Sequence, residues 1–417
     1  MKIIQSFFFF LLIVFSSFCQ TKQNNKEVVQ TSRIIPAAER MDVYLPLLKG
    51  KSVAVFANQT SVVGSSHLID TLIKRGVNIK KIFAPEHGFR GTADAGENVN
   101  SLKDEKTGIS IVSLYGSKQK PSDEDLKDVD LLIFDIQDVG VRFYTYISSL
   151  QKFMEAAFEN GKPLMILDRP NPNGFYVDGP ILDMKFQSFV GMQPIPIVYG
   201  MTMGEYAFMI AGEKWLTEKA NARYEYYKTV QNSADTPFHF QVIKCGNYDH
   251  NSKYSLPVAP SPNLPNMQSV YLYPSICFFE GTLISLGRGT SKPFQQFGNP
   301  LFPNNLYSFT PQSVTGAKNP PLLNQLCYGF DLSNINAVDE INNHIQLKWL
   351  LQAFQLYPDK EKFFLANNYF NTLAGSDILM KQIKDGLSEN EIKKSWQPGL
   401  TAFKRIRKQY LLYKDFE

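Results

Sequence analysis

Residues 129–138, Val-Asp-Leu-Leu-Ile-Phe-Asp-Ile-Gln-Asp, decide how the chain is read. Leu131 to Phe134 are apolar at successive positions, so a strand there shows hydrophobic side chains to both faces of its sheet. Such strands belong to parallel sheets covered by helices, and the polar residues that follow stand at the strand's C-terminal end. The pattern repeats outward. Residues 51–57 (KSVAVFA), 79–83, 109–114 and 164–167 are short apolar runs of the same kind. Between them, residues 67–75 and 148–159 read as helices, and Ser122 with Asp125 three residues on reads as the capping box of a short one. Regular alternation of strand and helix predicts an α/β fold with a mostly parallel, Rossmann-like sheet. No G-x-G-x-x-G follows the first strand and no G-x-x-x-x-G-K-[ST] occurs, so neither a nucleotide nor any other cofactor is expected.

The strand exits carry the chemistry. After 79–83 come Ala84, Pro85, Glu86, His87, Gly88, Phe89, Arg90 and Gly91. Proline stops the ladder and the glycines let the chain turn, which leaves an acid, a base and a cation within five residues. The strand ending near Phe134 delivers Asp135, Gln137, Asp138, Arg142 and Tyr144. The next delivers Asp168, Arg169, Asn171 and Asn173. In open α/β sheets ligands bind at the carboxyl ends of strands. The alternative is structural: Asp135 with Arg142, or Asp168 with Arg169, as ion pairs that order the loops.

A length of 417 residues accommodates two domains. Hydrophobic residues make up 44% and charged residues 20%, the balance of a soluble globular protein, and a net charge of +4 without a basic block gives no sign of nucleic acid binding. Lys2, an apolar run over 7–15 and then Ser16, Ser17, Phe18 and Cys19 read as an export signal. It is of the bacterial lipoprotein type, with Cys19 as lipid anchor; Phe18 stands where a small residue is usual, so ordinary secretion is the alternative. The expected organisation is signal 1–19, flexible tether 20–38, Rossmann-like domain 39–235 and a second, less regular α/β domain 236–417. The expected location is exported, periplasmic or anchored at the outer membrane. Three cysteines remain, Cys245, Cys277 and Cys327, and an odd number points to buried free thiols.

Beyond residue 200 the pattern loosens. Residues 202–216 have helical spacing with Glu205 near the start, either a surface acid favoured by the helix dipole or a site residue. A strand at 240–243 precedes a proline-rich loop containing Asn263, and then come Glu280 and Arg288. Gly287 and Gly289 around Arg288 imply close backbone approach to a ligand or to another loop. Residues 349–356 and 389–413 read as helices, the last amphipathic with a basic, solvated face. The histidines at 67, 87, 239, 250 and 344 show no metal-binding spacing, and there is no G-x-S-x-G elbow.

Seven ordered blocks, FAPEHGFRG, FDIQDVGVRFYTYI, LDRPNPNGFYVDGP, PIPIVYGMTMGEYA, PSPNLPN, FEGT and GRGT, resemble the exo-β-N-acetylmuramidase family typified by NamZ, formerly a bacterial domain of unknown function. The resemblance runs from about residue 41 to the C-terminus. It implies a Rossmann-like domain joined to a second α/β domain, an active-site cleft between them, and release of N-acetylmuramic acid (MurNAc) from the non-reducing end of peptidoglycan fragments such as MurNAc-GlcNAc. Glu86 matches the glutamate of the PEHG block and is the expected general acid, with Phe89 as an apolar wall and His87 orienting it or binding sugar. Asp135 and Asp168 are candidates for the partner carboxylate, with Asp138, Glu205 and Glu280 also open; if the substrate's acetamido group assists, none is needed. A cation is expected for the lactyl carboxylate: Arg142 or Arg288, then Arg90. Gln137, Asn171, Asn173 and Asn263 offer amides to the sugar, and Tyr144 and Tyr199 either meet it or are buried aromatics. The rival expectation is a lipid-anchored surface protein that binds cell-wall sugars without cleaving them. An esterase or amidase would need an activated nucleophile or metal, of which the sequence gives no sign. Oligomeric state is left open.

Overall fold

The computed structural model describes residues 33–86, 88–89, 102–230 and 238–417. Its first nine strands are β1 (Ser52–Ala57), β2 (Val62–Val63), β3 (Ser66–His67), β4 (Asn78–Ala84), β5 (Leu102–Lys103), β6 (Ser110–Ser113), β7 (Leu131–Asp135), β8 (Leu164–Leu167) and β9 (Phe240–Ile243). β2 and β3 form a small ladder of their own. The rest form one sheet in the order β5-β6-β4-β1-β7-β8-β9, parallel throughout except where β5 meets β6. The chain builds outward from β1 through β4 and β6, then returns to β1's other side for β7. That reversal is a topological switch point, where the exits of neighbouring strands diverge and leave a crevice.

Strand alternation assigns the two faces. Val53, Val55, Ala57, Leu131, Ile133 and Met165 turn to the side covered by helices α1 (Met41–Leu48) and α2 (Leu68–Lys74). Ala54, Phe56, Leu132, Phe134, Leu164 and Ile166 turn to the other. There, after the short α3 (Asp123–Leu126), the long α4 (Tyr146–Glu159), α5 (Met203–Gly212) and α6 (Glu218–Val230) pack. Phe56 stacks on Phe134 at 5.0 Å, and Phe153 of α4 leans on both. Burying each such ring contributes about 2–3 kcal/mol. Local signals agree with the sequence: His67 caps α2 by accepting from the Ile69 amide, and Ser122 and Asp125 form the expected capping box.

Two boundaries differ from expectation. The tether was expected to reach residue 38, but Ile35 pairs with Gly246, and Ala37 and Ala38 are fully buried beside β8, so the folded body begins at Ile34. β9 lies beyond residue 235 yet extends the first sheet through parallel pairing with β8.

The second half contributes α7 (Met267–Ile276) and an antiparallel sheet of β10 (Gln296–Asn299), β11 (Tyr307–Phe309) and β12 (Cys327–Asp331), with β12 central. Five helices follow: α8 (Ala337–Ile341), α9 (Lys348–Leu356), α10 (Tyr369–Ala374), α11 (Ile378–Lys384) and α12 (Glu389–Arg407). α12 was expected to reach residue 413. It stops at Arg407 because the chain beyond has better partners elsewhere: the Leu412 and Tyr413 amides donate to Glu205, and Arg407 pairs with Asp415 through two hydrogen bonds. Cys245, Cys277 and Cys327 are free and buried, as expected.

The halves share one core. Phe56, Phe134 and Phe153 belong to the same buried cluster as Tyr273, Phe278, Phe297, Leu350 and Phe403. Polar ties cross the junction too: Gln59 donates to the carbonyls of Ala259 and Pro260, and Asp178 accepts from the Ile345 amide.

Candidate active site

Three strand exits meet at the C-terminal edge of the sheet. β4 leads through Pro85 to Glu86, β6 leads to Tyr115 and Gly116, and β7 leads through a buried loop to Phe143, Tyr144 and Thr145 at the start of α4. They form one wall of a cleft of about 510 Å³; Asn263, Tyr273, Glu280, Arg288, Phe294 and Tyr369 of the second half contribute the other. Glu86 is half-buried there, and both its oxygens are held. Tyr115 Oη donates to Oε1 at 2.9 Å and Thr145 Oγ1 to Oε2 at 3.3 Å. Across the cleft, Arg288 donates through Nε (3.0 Å) and Nη2 to Glu280 Oε1, and its guanidinium lies over the Phe294 ring. Desolvation pulls Arg288 down, but the charge and hydrogen bonds of Glu280 more than offset it, so its pKa sits above the ordinary value. Cys277 donates to the same glutamate, and burial raises its thiol well above the usual range, which keeps it protonated.

Of the residues singled out in the sequence, Glu86, Tyr144, Asn263, Glu280 and Arg288 line this cleft. Tyr144 presents its ring, its hydroxyl being bonded to the Pro260 carbonyl, and burial holds its pKa well above the usual value. Asn263 is buried, with its amide nitrogen on the Gly316 carbonyl. His87 and Arg90 lie outside the described residues. Phe89 packs edge-on against His67 in the core beneath α1 and α2, so it is not the wall expected beside Glu86.

The remaining candidates are buried and engaged elsewhere. Asp135 pairs bidentately with Arg169, at 2.6 and 2.8 Å, and not with Arg142. The reason is topological: Asp135 ends β7, Arg169 follows β8, and these strands are parallel neighbours. Arg142 is fully buried and donates to four carbonyls, those of Pro180, Ile195, Leu373 and Ala374. Desolvation lowers its pKa to about 9, and its full burial outside the cleft keeps it from a lactyl carboxylate. Asp168 accepts from the Thr202 and Tyr413 hydroxyls and the Gly204 amide, with burial lifting its pKa to about 6. Asp138 accepts from Tyr199 and the Gly140 amide, and burial lifts it to about 7. Gln137 ties Asp138 and Pro170 carbonyls, Asn171 bonds Met201, and Asn173 bonds Val139 and Val270. Glu205 is neither a surface acid nor a cleft residue: it completes the capping box of α5 and holds His250 and the C-terminal segment. Tyr115, Thr145 and Tyr369 were not foreseen. Tyr115 and Thr145 follow strand exits, a signal that was available; Tyr369 opens a helix in the irregular half and carried none.

Fold and cleft together define a two-part α/β protein with two separate carboxylates facing one crevice, the equipment of a glycoside hydrolase. The chain belongs to the NamZ family: the model described as Exo-beta-N-acetylmuramidase NamZ, N-terminal, matches residues 53–268, and the C-terminal one matches residues 271–413. It is 35% identical to the peptidoglycan beta-N-acetylmuramidase NamZ of Bacillus subtilis (strain 168), over 96% of this chain and 97% of that one. Crystal structures of two DUF1343 family proteins from Bacteroides fragilis NCTC 9343 are similar. One has a TM-score of 0.82 at 47% identity, covering 92% of this chain and all of that one. The other has a TM-score of 0.74 at 27% identity, covering 92% and 99%.

Proposed function

We propose that the chain is an exo-acting glycoside hydrolase that releases MurNAc from the non-reducing end of peptidoglycan fragments, with Glu86 as general acid. The carrying observation is the placement of Glu86 in the cleft, both oxygens held by Tyr115 and Thr145 opposite the Glu280–Arg288 pair. Cleavage needs a proton on the departing oxygen and stabilisation of positive charge at the anomeric carbon. Glu86 supplies the first. For the second, Glu280 is the other carboxylate among the described cleft-lining residues, so we assign it that role in place of Asp135 and Asp168. Arg288 spends Nε and Nη2 on Glu280, and we assign its remaining donor, Nη1, to the lactyl carboxylate. The name of the Bacillus relative supports the substrate. Export by residues 1–19, with an anchor at Cys19, would set the enzyme beside such fragments.

The test is mass-spectrometric product analysis of residues 20–417 with MurNAc-GlcNAc, alongside Glu86→Gln. Free MurNAc from the parent, with turnover reduced about 10²–10⁴-fold and binding retained in Glu86→Gln, is expected. Binding without turnover by the parent would favour the surface sugar-binding protein instead.

A further inference from the structure

The Glu280–Arg288 pair has a second side. Beyond it lies another pocket, of about 590 Å³, which shares Glu280, Arg288 and Tyr369 with the cleft. These three side chains are therefore a ridge between two compartments. Glu86 lines only the first; the second is lined mostly by aliphatic groups, among them Leu283, Ile284, Leu286, Pro321 and Leu365. Thr282, Lys318 and Asn319 add polar atoms. The wall formed by residues 316–322 is tied to the turn that carries Arg288: the Gln312 amide donates to the Gly289 carbonyl, and a Cβ at Gly289 would lie 2.6 Å from Pro320. The turn that supplies the ridge's cation thus also fixes the pocket behind it.

Exo-cleavage splits a glycan into a terminal sugar and a leaving chain, and each needs a place. The acid must stand at the bond between them. With Glu86 in the first compartment, the terminal sugar sits beside it and the leaving chain crosses the ridge. We infer that the second pocket is the leaving-group subsite, and that it takes a 2-acetamido sugar. The aliphatic lining suits the acetamido methyl and the C–H face of the ring, and Asn319 offers its side-chain amide to hydroxyls. This rests on the reading of the cleft given above.

The experiment compares kcat/KM for two substrates with the same terminal sugar: MurNAc-GlcNAc, and N-acetylmuramyl fluoride, whose leaving group fills no pocket. Ala317→Phe, which narrows the second pocket, and Leu283→Gln, which makes it polar, are measured beside the parent. Both variants are expected to lose about tenfold on the disaccharide while the fluoride is hydrolysed as by the parent, which also shows that they fold. Equal losses on both substrates, or no loss on the disaccharide, would overturn the subsite. A parent that hydrolyses neither substrate would overturn the reading of the cleft, and the subsite with it.

Discussion

Four backbone carbonyls surround the Arg142 guanidinium, two from the loops beside the first sheet and two from the end of α10. Replacing it by methionine leaves those acceptors buried and bare, at about 1–3 kcal/mol for each that finds no water. Arg142→Met should therefore lower stability by at least about 3 kcal/mol in urea unfolding; a loss under 1 kcal/mol would show that the carbonyls are readily satisfied otherwise. Asp138 makes a different prediction. Its ordinary pKa is 3.8 and burial raises the folded value to about 7. Below the ordinary value folded and unfolded chains are both protonated. As pH climbs to about 7 the unfolded chain has released a proton that the folded chain keeps, so stability falls across that window. Asp138→Asn cannot lose that proton, and its melting temperature relative to the parent should rise between about pH 4 and about pH 7. A difference that stays flat would mean the carboxyl is ionised in the folded protein. Both residues were legible in the sequence as polar groups at strand exits. Their partners were not, because Arg142 meets carbonyls more than two hundred residues away and Asp138 meets Tyr199 across an irregular loop.

At the scale of elements the local rules carried well. Successive apolar positions gave β1, β7 and β8, and the polar oxygen at Ser122 gave the start of α3, because these depend on neighbours in sequence. The end of α12 depends on Glu205, two hundred residues earlier, and was out of reach. So was Tyr369 on the far wall of the cleft, which comes from a helix with no distinguishing sequence, although its neighbours Glu280 and Arg288 were singled out. The glycines around Arg288 were read as marks of close approach, and the close approach is to protein. Gly289 has φ +79, and a Cβ there would lie 2.4 Å from the Gln312 carbonyl oxygen. Gly289→Ala should cost more than about 1 kcal/mol and, by shifting the Arg288 turn, raise KM for the disaccharide. Unchanged stability and KM together would show that the turn relaxes freely.

For the whole molecule, the shared core has a consequence for unfolding. Rings from the β1–β7 face and from the antiparallel half lie in one buried cluster, and Arg142 and Asp178 bond across the junction. Calorimetry should show a single cooperative transition for residues 34–417; two resolved transitions would mean that the halves fold separately. The same joining builds the cleft, since neither half alone brings Glu86 opposite Glu280 and Arg288. The role of Glu86 is tested most directly by its dependence on the leaving group. A general acid matters where the departing oxygen is basic and little where it is not. Glu86→Gln should lose about 10²–10⁴-fold in kcat/KM on MurNAc-GlcNAc and retain most activity on 2,4-dinitrophenyl N-acetylmuramide. Equal losses on both substrates, or full activity on the disaccharide, would contradict its assignment as the proton donor.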